Sequence, residues 1–280
     1  MRLIGQHEVS AIGMGAMPLS IEGRPDRDRA LATVRAALDA GITLIDTADS
    51  YHWHADEVGH NERLLAGFAR EAMIATKGGR GRPGDGSWTV NGTPGHLVRA
   101  CEASLRRLGV EAIDLYQLHK PDPEVPWADS VGALRTLLDQ GKIRMAGISN
   151  VTAEQILTAR EILGERLVSV QNRFSPAARD SEPELRLCAD LGLAFLPWSP
   201  LGGISRSSLD GPSADEGSRT PFHEIARERG VSPQRVCLAW LLTLSPTLIP
   251  IPGASRPETI RDSAAATTLT LTETEIARLT

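Results

Sequence analysis

The sequence predicts an α/β protein: one closed parallel (β/α)8 TIM barrel with a short N-terminal hairpin, forming a single domain over residues 1–280. Short apolar runs alternate about eight times with helical patterns, which indicates βαβ units and a parallel sheet. No shift in composition marks a linker, and a chain of 280 residues suits a barrel, which typically needs about 250. An open doubly wound sheet is the competing architecture.

The first half of the chain is predicted to form the hairpin and the first four strands. Apolar, partly β-branched runs indicate strands, whereas apolar residues at helical spacing, bounded by proline and glycine, indicate helices. Residues 78–92 are rich in glycine and are predicted to be a loop. The predicted elements are a hairpin at 2–9, strands at 11–15, 42–45, 72–76 and 113–118, and helices at 25–40, 61–69 and 93–108.

The second half repeats this alternation. Thr152 is predicted to cap a helix, because Gln155 lies three residues later at the spacing of a capping box. A loop rich in serine, glycine and aspartate is predicted at about 201–220. The remaining predictions are helices at 127–140, from 152 onward, and at 184–191, 221–229, 233–243 and 273–279, strands at 144–148, 167–170, 194–196 and 247–251, and a turn at 252–256.

Charge and composition argue against several classes of protein. The formal net charge of -5 argues against a nucleic-acid or anionic-membrane partner. No apolar run approaches the roughly 20 residues of a membrane span, and we expect a cytoplasmic protein. Cys101, Cys188 and Cys237 are odd in number and lie in predicted helices, so we expect free thiols.

Polar side chains follow most of the predicted strands. In a (β/α)8 barrel the loops after all strands share one rim, so such residues converge. Packing alone does not require a carboxylate, a lysine, a histidine and a large aromatic residue on one rim. The residues at these positions are Gly15, Asp46, Lys77, His119, Ser149, Gln171, Trp198 and Pro252.

Four side chains on this rim have a joint chemical role. A tyrosine phenol has a pKa near 10, so Tyr51 is a poor proton donor unless a neighbouring cation stabilises the phenolate. Lys77 could be that cation, Asp46 could hold Lys77, and His119 could orient a carbonyl group. This set suits the reduction of a carbonyl, in which Tyr51 gives a proton to the developing alkoxide.

The hydride for such a reduction must come from a cofactor, because no side chain donates one. Trp198 offers a flat face for a nicotinamide ring, and Ser149, Asn150 and Gln171 offer hydrogen-bonding groups for its carboxamide. Taken singly, Trp198 could be a rim aromatic and Ser149 with Asn150 a helix cap. Gly13 and Gly15 do not form a dinucleotide fingerprint, because no third glycine follows at the required spacing.

These motifs resemble the aldo-keto reductase family in order and spacing, over almost the whole chain. The matching stretches are Asp46-Thr47-Ala48 with Tyr51, Ala75-Thr76-Lys77, Asp114-Leu115-Tyr116-Gln117-Leu118-His119, Gly147-Ile148-Ser149-Asn150, Gln171-Asn172, Trp198-Ser199-Pro200-Leu201-Gly202, and Ile251-Pro252-Gly253-Ala254-Ser255. The resemblance implies a (β/α)8 barrel that binds NADPH across its C-terminal rim without a Rossmann domain. It also implies a catalytic tetrad of Tyr51, Asp46, Lys77 and His119, with Tyr51 as the acid.

The resemblance further implies which residues bind the cofactor. Ser149, Asn150 and Gln171 would hold the carboxamide, and Trp198 would stack on the nicotinamide where the family more often has tyrosine or phenylalanine. The full implied set is Gly15, Ala16, Met17, Ser149, Asn150, Gln171, Trp198, Ser199, Pro200, Leu201, Gly202, Gly253, Ser255, Arg256, Thr259 and Asp262.

The sequence departs from the family pattern at the adenosine end. Ser255 and Arg256 are placed for a 2′-phosphate, and an arginine there favours NADPH over NADH. The later glutamate-asparagine pair of the family is Asp262-Ser263 here, and the upstream basic or amide position is Thr259. His52 follows Tyr51 where the family usually has glycine.

The motifs leave the substrate open. Trp53 and Trp88 lie in loops and are predicted to wall the substrate pocket, although they could instead pack the loops onto the barrel. The Gly202-Gly203 loop resembles that of bacterial pyridoxal reductases within the family. The histidines at 52, 54 and 60 with Asp56 and Glu57 could suggest a metal site, but we expect no metal, because His-x-His is common by chance in loops and no cysteine joins it.

Two other functions use the same fold. One is a regulatory, partner-binding protein with tightly bound cofactor and slow turnover, similar to the potassium-channel β-subunits. The other is a lyase or isomerase in which Lys77 forms a Schiff base, which leaves Tyr51, Gln171 and Trp198 without a shared purpose. We expect a small-molecule carbonyl substrate.

Overall fold

The computed structural model describes residues 1–205 and 220–279. The strands in chain order are β1 (Arg2–Ile4), β2 (His7–Val9), β3 (Met14–Gly15), β4 (Leu44–Asp46), β5 (Met73–Gly78), β6 (Arg80–Gly81), β7 (Thr89–Val90), β8 (Ile113–Leu118), β9 (Ile143–Ser149), β10 (Leu167–Gln171) and β11 (Ala194–Phe195). The α-helices described are α1 (Arg27–Asp39), α2 (His60–Leu65), α3 (Pro94–Leu108), α4 (Trp127–Asp139), α5 (Ala153–Leu163), α6 (Glu182–Leu191), α7 (Pro221–Arg229), α8 (Pro233–Leu244), α9 (Pro257–Ala264) and α10 (Glu273–Leu279).

Seven parallel strands form the central sheet, in the order β11-β10-β9-β8-β5-β4-β3. Because all neighbours are parallel, every strand ends at the same edge of the sheet. Residues 247–252 contact both outer strands: Ile249 N–H donates to Phe195 of β11, and Gly15 N–H of β3 donates to Pro252. One segment can reach both outer strands only if the sheet curls, so the strand ends surround a common centre.

Two apolar layers hold the sheet. The outer layer packs the helices against the sheet, and the inner layer fills the curl of the sheet. The antiparallel β1–β2 hairpin adds Ile4 and Val9 to the inner layer, where they pack with Leu44, Leu115 and other strand residues. The inner space is therefore filled mainly with apolar side chains at the start of the strands, and the charged and amide side chains lie near the strand ends.

Most of the predicted strands and helices are present. The capping box at Thr152 is confirmed, since its side chain accepts from the Gln155 N–H, and the Gln155 side chain accepts from the Thr152 N–H. Predicted helix 61–69 is divided between α2 and a 3-10 turn at Ala66–Phe68. Most of predicted loop 201–220 lies outside the described residues.

Three predictions at element level were incomplete or wrong. Residues 247–251 make strand-like hydrogen bonds but form only isolated bridges, because the prolines at 250 and 252 lack an N–H for a regular ladder. Helix α9 was missed after the predicted turn, although Pro257 stands at its start. The glycine-rich 78–92 stretch was predicted to be only a loop, yet it contains the antiparallel β6–β7 pair.

Within the described ranges, no helix is both long and apolar enough to cross a membrane.

Candidate active site

Four polar side chains meet inside the curled sheet because of strand periodicity. Successive residues of a strand face opposite sides, so residues two positions apart share a face. Leu44 and Leu115 belong to the inner apolar layer, and two residues later Asp46 and Gln117 carry polar groups. The same step takes Ala75 to Lys77 and Ser169 to Gln171.

Lys77 is the centre of this group. Its side chain is fully buried, and its Nζ donates to Asp46 Oδ1 at 2.5 Å, to the Thr47 carbonyl at 2.8 Å and to Tyr51 Oη at 3.0 Å. These bonds use all the donor capacity of an ammonium group. Burial acts to lower the pKa of Lys77, but the charge of Asp46 and the Tyr51 phenol outweigh it and raise the pKa. Lys77 is therefore a buried cation at neutral pH.

Asp46 is held on both carboxylate oxygens. While Oδ1 accepts from Lys77, Oδ2 accepts from Gln171 Nε2 at 2.8 Å and from Gln117 Nε2 at 3.1 Å. The side-chain amide of Gln171, expected to meet a carboxamide, is thus engaged with Asp46. Gln117 was missed as a site residue, although its inward position two residues after Leu115 could have identified it.

Tyr51 lies next to this ion pair with its proton retained. The residue is 7% exposed, and burial raises the pKa of its phenol, although the Lys77 charge opposes the rise. His119 meets the Tyr51 ring edge-on, with ring centroids 5.7 Å apart. Burial first, then the charges of Lys77 and Arg80, hold the pKa of His119 well below its usual range. The site therefore combines a protonated phenol with two neighbours: a neutral imidazole and a buried ammonium group.

Ser149, Asn150 and Trp198 connect neighbouring strand ends. Ser149 Oγ donates to the Gln171 carbonyl at 2.6 Å, and Asn150 Nδ2 donates to the His119 carbonyl at 2.9 Å. Asn150 Oδ1 accepts from the Trp198 indole N–H at 3.1 Å. Asn150 has a left-handed backbone with φ of 59°, which asparagine tolerates better than most residues. These bonds hold the half-buried Trp198 ring in a defined orientation at the site.

A cavity of about 540 Å³ begins at this group and extends toward α9. Eleven of the predicted cofactor residues line it, namely Gly15, Met17, Gln171, Trp198, Ser199, Pro200, Leu201, Gly253, Arg256, Thr259 and Asp262. The predicted residues outside its lining are Ala16, Ser149, Asn150, Gly202 and Ser255. The lining also includes Pro252 and Ser263, which the sequence analysis named on the rim and at the adenosine end without including them in the cofactor set. Sequence reasoning proposed no role for the remaining lining residues Pro18, Ser205, Gln234, Ile251 and Glu258. Glu258 belongs to α9, so the helical stretch after Pro257 was the signal that could have found it.

The far end of the cavity carries both signs of charge. Arg256 is exposed and has no hydrogen-bond or ion-pair partner among the described side chains. Asp262, in contrast, accepts two hydrogen bonds from the Arg235 guanidinium and one from Ser232 Oγ. Arg256 is therefore the guanidinium that remains available to an anionic ligand there.

The two tryptophans predicted to wall a substrate pocket differ in position. Trp88 approaches the His119 ring, with centroids 6.3 Å apart, so the structure brings it to the site. Trp53 stacks on His54 at 5.0 Å and lies near the Arg24 guanidinium, so its contacts are within the loop and with Arg24. In residues 1–205 and 220–279, no three His, Cys, Asp or Glu side chains are grouped to hold a metal ion.

Two known proteins are similar in sequence to this chain over nearly its whole length. The chain is 34% identical to an uncharacterized oxidoreductase of Schizosaccharomyces pombe over 281 residues, covering 99% of this chain and 87% of that protein. It is 33% identical to pyridoxine 4-dehydrogenase of Escherichia coli over 286 residues, covering 99% and 96%.

A similar solved structure is an aldo/keto reductase from Klebsiella pneumoniae in complex with NADP and acetate. It has a TM-score of 0.80 and 28% identity, and the match covers 100% of this chain and 93% of that one. The model of the Aldo/keto reductase family matches residues 11–280, which confirms the resemblance seen in the motifs. The chain belongs to the aldo/keto reductase family of oxidoreductases.

Proposed function

We propose that this protein is an NADPH-dependent carbonyl reductase that converts an aldehyde or ketone to an alcohol, with Tyr51 as the proton donor. The observation that carries the proposal is the contact between Lys77 Nζ and Tyr51 Oη at 3.0 Å, in a site that opens to the cavity. A cation beside a phenol stabilises the phenolate and so makes proton transfer from that phenol easier.

The cavity suits an extended dinucleotide. Its volume of about 540 Å³ lies in the range of small-molecule sites. Trp198 offers a ring face at one end, and at the other end Arg256 offers a guanidinium, which no described side chain binds, for a 2′-phosphate. The presence of NADP in the related Klebsiella structure supports this cofactor class. When bound, NADPH would supply the hydride that reduces the carbonyl carbon.

Tyr51 and Lys77 would handle the proton. Because burial raises the pKa of Tyr51, the phenol keeps its proton until a stronger base forms beside it. A carbonyl oxygen that gains negative charge is such a base, and the proton would move from Tyr51 Oη to that oxygen. Lys77 would then stabilise the phenolate, and its bonds to Asp46 and Thr47 keep it in position before the reaction begins.

His119 would orient the carbonyl group. A neutral imidazole can donate one hydrogen bond to a carbonyl oxygen without competing with Tyr51 as an acid. The depressed pKa of His119 supports this neutral form. The raised pKa of Lys77 and its three hydrogen bonds argue against the free amine that a Schiff-base lyase would require.

We also propose that residues 247–253 act as an irregular eighth strand, which closes the sheet into a (β/α)8 barrel over a single domain of residues 1–280. The hydrogen bonds of this segment to β11 on one side and to β3 on the other support the proposal. Closure would fix Gly15 and Gly253 next to each other at the cavity, where both belong to the lining.

The proton-donor role is tested by Tyr51→Phe. We expect turnover to fall by about 10²- to 10⁴-fold while the dissociation constant for NADPH stays within about twofold. Tyr116→Phe is the matched control, since Tyr116 is fully buried, its hydroxyl has no hydrogen-bond partner in the described part of the chain, and it does not line the cavity. Equal loss of NADPH binding and turnover in Tyr51→Phe would contradict the assignment.

The carbonyl panel for these assays should include pyridoxal. The similarity to pyridoxine 4-dehydrogenase supports that choice, and the motifs alone do not restrict the substrate. The proposed chemistry predicts that at least one carbonyl of the panel is reduced by the wild-type protein and is reduced far more slowly by Tyr51→Phe.

A further inference from the structure

We propose that Arg80 selects carbonyl substrates that carry an anionic oxygen group, either a carboxylate or a phosphate ester. The inference rests on the proposed function, because it names the class of carbonyl compound that the Tyr51 site reduces. It concerns the side of Tyr51 and His119 that faces Trp88, and Arg80 and Trp88 do not line the large cavity.

The β6–β7 hairpin positions Arg80 near the proposed acid. Strand β6 begins two residues after β5 ends, and the backbone of Arg80 pairs with Val90 of β7. The Arg80 guanidinium lies 4.3 Å from the centroid of the Trp88 ring, and the Trp88 ring meets His119. His119 in turn contacts Tyr51. A chain of contacts through two rings, those of Trp88 and His119, thus connects Arg80 to the proposed proton donor.

The charge of Arg80 has no partner in the described part of the chain. No acceptor there bonds its guanidinium, and its Nε is buried without a hydrogen bond. Arg82 provides the comparison, because it also lies over Trp88, at 4.7 Å, but donates to Glu22 at 2.5 Å and to the His52 carbonyl. Of the two guanidinium groups on the Trp88 ring, only that of Arg82 is neutralised by a carboxylate.

Positive charge therefore exceeds negative charge on this side of the site. Lys77 is paired with Asp46, and Arg82 with Glu22, whereas Arg80 has no anionic partner among the described residues. Its charge reaches the site, because it contributes to the lowered pKa of His119. A planar guanidinium can bind the paired oxygens of a carboxylate or phosphate. A substrate with such a group would supply the missing negative charge.

A purely structural role is the competing explanation. A guanidinium over an indole ring is itself a favourable contact, and Arg80 could serve only to hold Trp88. That role would affect charged and neutral substrates alike, whereas recognition of an anion would affect only the charged ones. The experiment must therefore compare substrates that differ in charge and in little else.

We would measure kcat/KM for two matched pairs of aldehydes. One pair is 4-carboxybenzaldehyde and its methyl ester, and the other is pyridoxal 5′-phosphate and pyridoxal. For at least one pair, we expect the wild-type protein to prefer the charged member by about tenfold or more. In Arg80→Gln that preference should fall by about tenfold, with kcat/KM for the neutral member within about threefold of wild type. The pair that shows the larger loss identifies the carboxylate or the phosphate as the recognised group.

Two further variants sharpen the result. Arg80→Lys should retain part of the preference, because it keeps the charge but loses the planar fork. Arg70→Gln makes the same substitution at an exposed position just before β5 begins, at the opposite end of the strand from the site, and should behave as wild type.

Distinct outcomes overturn the inference and the proposed function. An equal fall in kcat/KM for the charged and the neutral members in Arg80→Gln would mean that Arg80 only supports Trp88, and it would overturn the inference. A wild-type protein that reduces both members equally would overturn it as well, while leaving the reductase intact. A wild-type protein that reduces no member of either pair, and no other carbonyl, would overturn the proposed function.

Discussion

Asp49 is a buried carboxyl group that the proposed chemistry does not use. It is 6% exposed, and its Oδ1 has no hydrogen-bond partner in the described structure. Burial, with the nearby Glu62 charge, raises the pKa of Asp49 from 3.8 to about 8. The folded protein therefore holds a proton on Asp49 at pH values where the unfolded chain has released it.

The pKa of Asp49 predicts how stability depends on pH. Between about pH 4 and pH 8 the folded state binds more protons than the unfolded state, so the free energy of unfolding falls as pH rises. Asp49→Asn removes this contribution. Between pH 5 and pH 8 the free energy of unfolding of the wild-type protein should fall, relative to that of Asp49→Asn, by about 2 kcal/mol or more. Urea unfolding of both proteins at the two pH values measures this difference. A constant difference between the two proteins at both pH values would contradict the raised pKa.

The sequence predicted some site residues better than others, for physical reasons. Asp46 is the last residue of β4 and Lys77 the next-to-last residue of β5, and the structure places both in the central hydrogen-bonded group. Gln117 holds the same next-to-last position in β8, and it was missed because only the residue after each predicted strand was considered, although its inward face follows from Leu115. Arg80 could not be predicted, because its neighbourhood depends on a hairpin that brings Trp88 back across the chain.

At the level of secondary-structure elements, the β5–β8 pair shows how closely the strands approach. Gly78 pairs with Leu118 across this ladder, and a Cβ atom on Gly78 would lie 2.1 Å from the Tyr116 hydroxyl. Tyr116 is fully buried, so it has little space to move. The glycine after Lys77 therefore permits the strand spacing that brings Lys77 beside Gln117.

This close approach predicts the effect of Gly78→Ala. We expect the substitution to destabilise the protein by about 1–3 kcal/mol through overpacking, measured from the midpoint of urea unfolding. Gly132→Ala is the matched control, because Gly132 lies within α4 and a Cβ atom there meets nothing within 4 Å. The control should gain about 0.5–1 kcal/mol from helix propensity. Equal effects of the two substitutions would show that Tyr116 does not restrict the ladder.

Elements with regular patterns were predicted well, whereas elements that contain or follow a proline were predicted only in part or missed. Helix α5 was anticipated from its capping box, because its signals are local. Residues 247–252 contain prolines at 250 and 252, so their bonds to β11 and β3 follow from their place between these strands rather than from local propensity. Helix α9 was missed because its single start signal, Pro257, could also begin a turn.

Across the whole molecule, the site depends on residues from nearly the full length of the chain. The cavity joins Gly15 near the start to Ser263 near the end, and the ion pair at its inner end joins β4 to β5. A parallel sheet with both outer strands bound to one late segment is the arrangement that brings these residues together. The alternation of strands and helices in the sequence predicted this convergence of the strand ends.

The central claim is a reductase that uses NADPH, and one set of titrations tests it most directly. We would titrate the wild-type protein and Arg256→Ala with NADPH and NADH by nicotinamide fluorescence, and follow NADPH consumption with the carbonyl panel in the same samples. We expect wild type to bind NADPH more tightly than NADH and to reduce at least one class of carbonyl rapidly. In Arg256→Ala the dissociation constant for NADPH should rise about tenfold, whereas that for NADH should stay within about twofold of wild type, because only NADPH carries the 2′-phosphate. An unchanged ratio of the dissociation constants for NADPH and NADH in Arg256→Ala would contradict the proposed role of Arg256. Tight NADPH binding with negligible turnover of every carbonyl would contradict the proposed reductase activity.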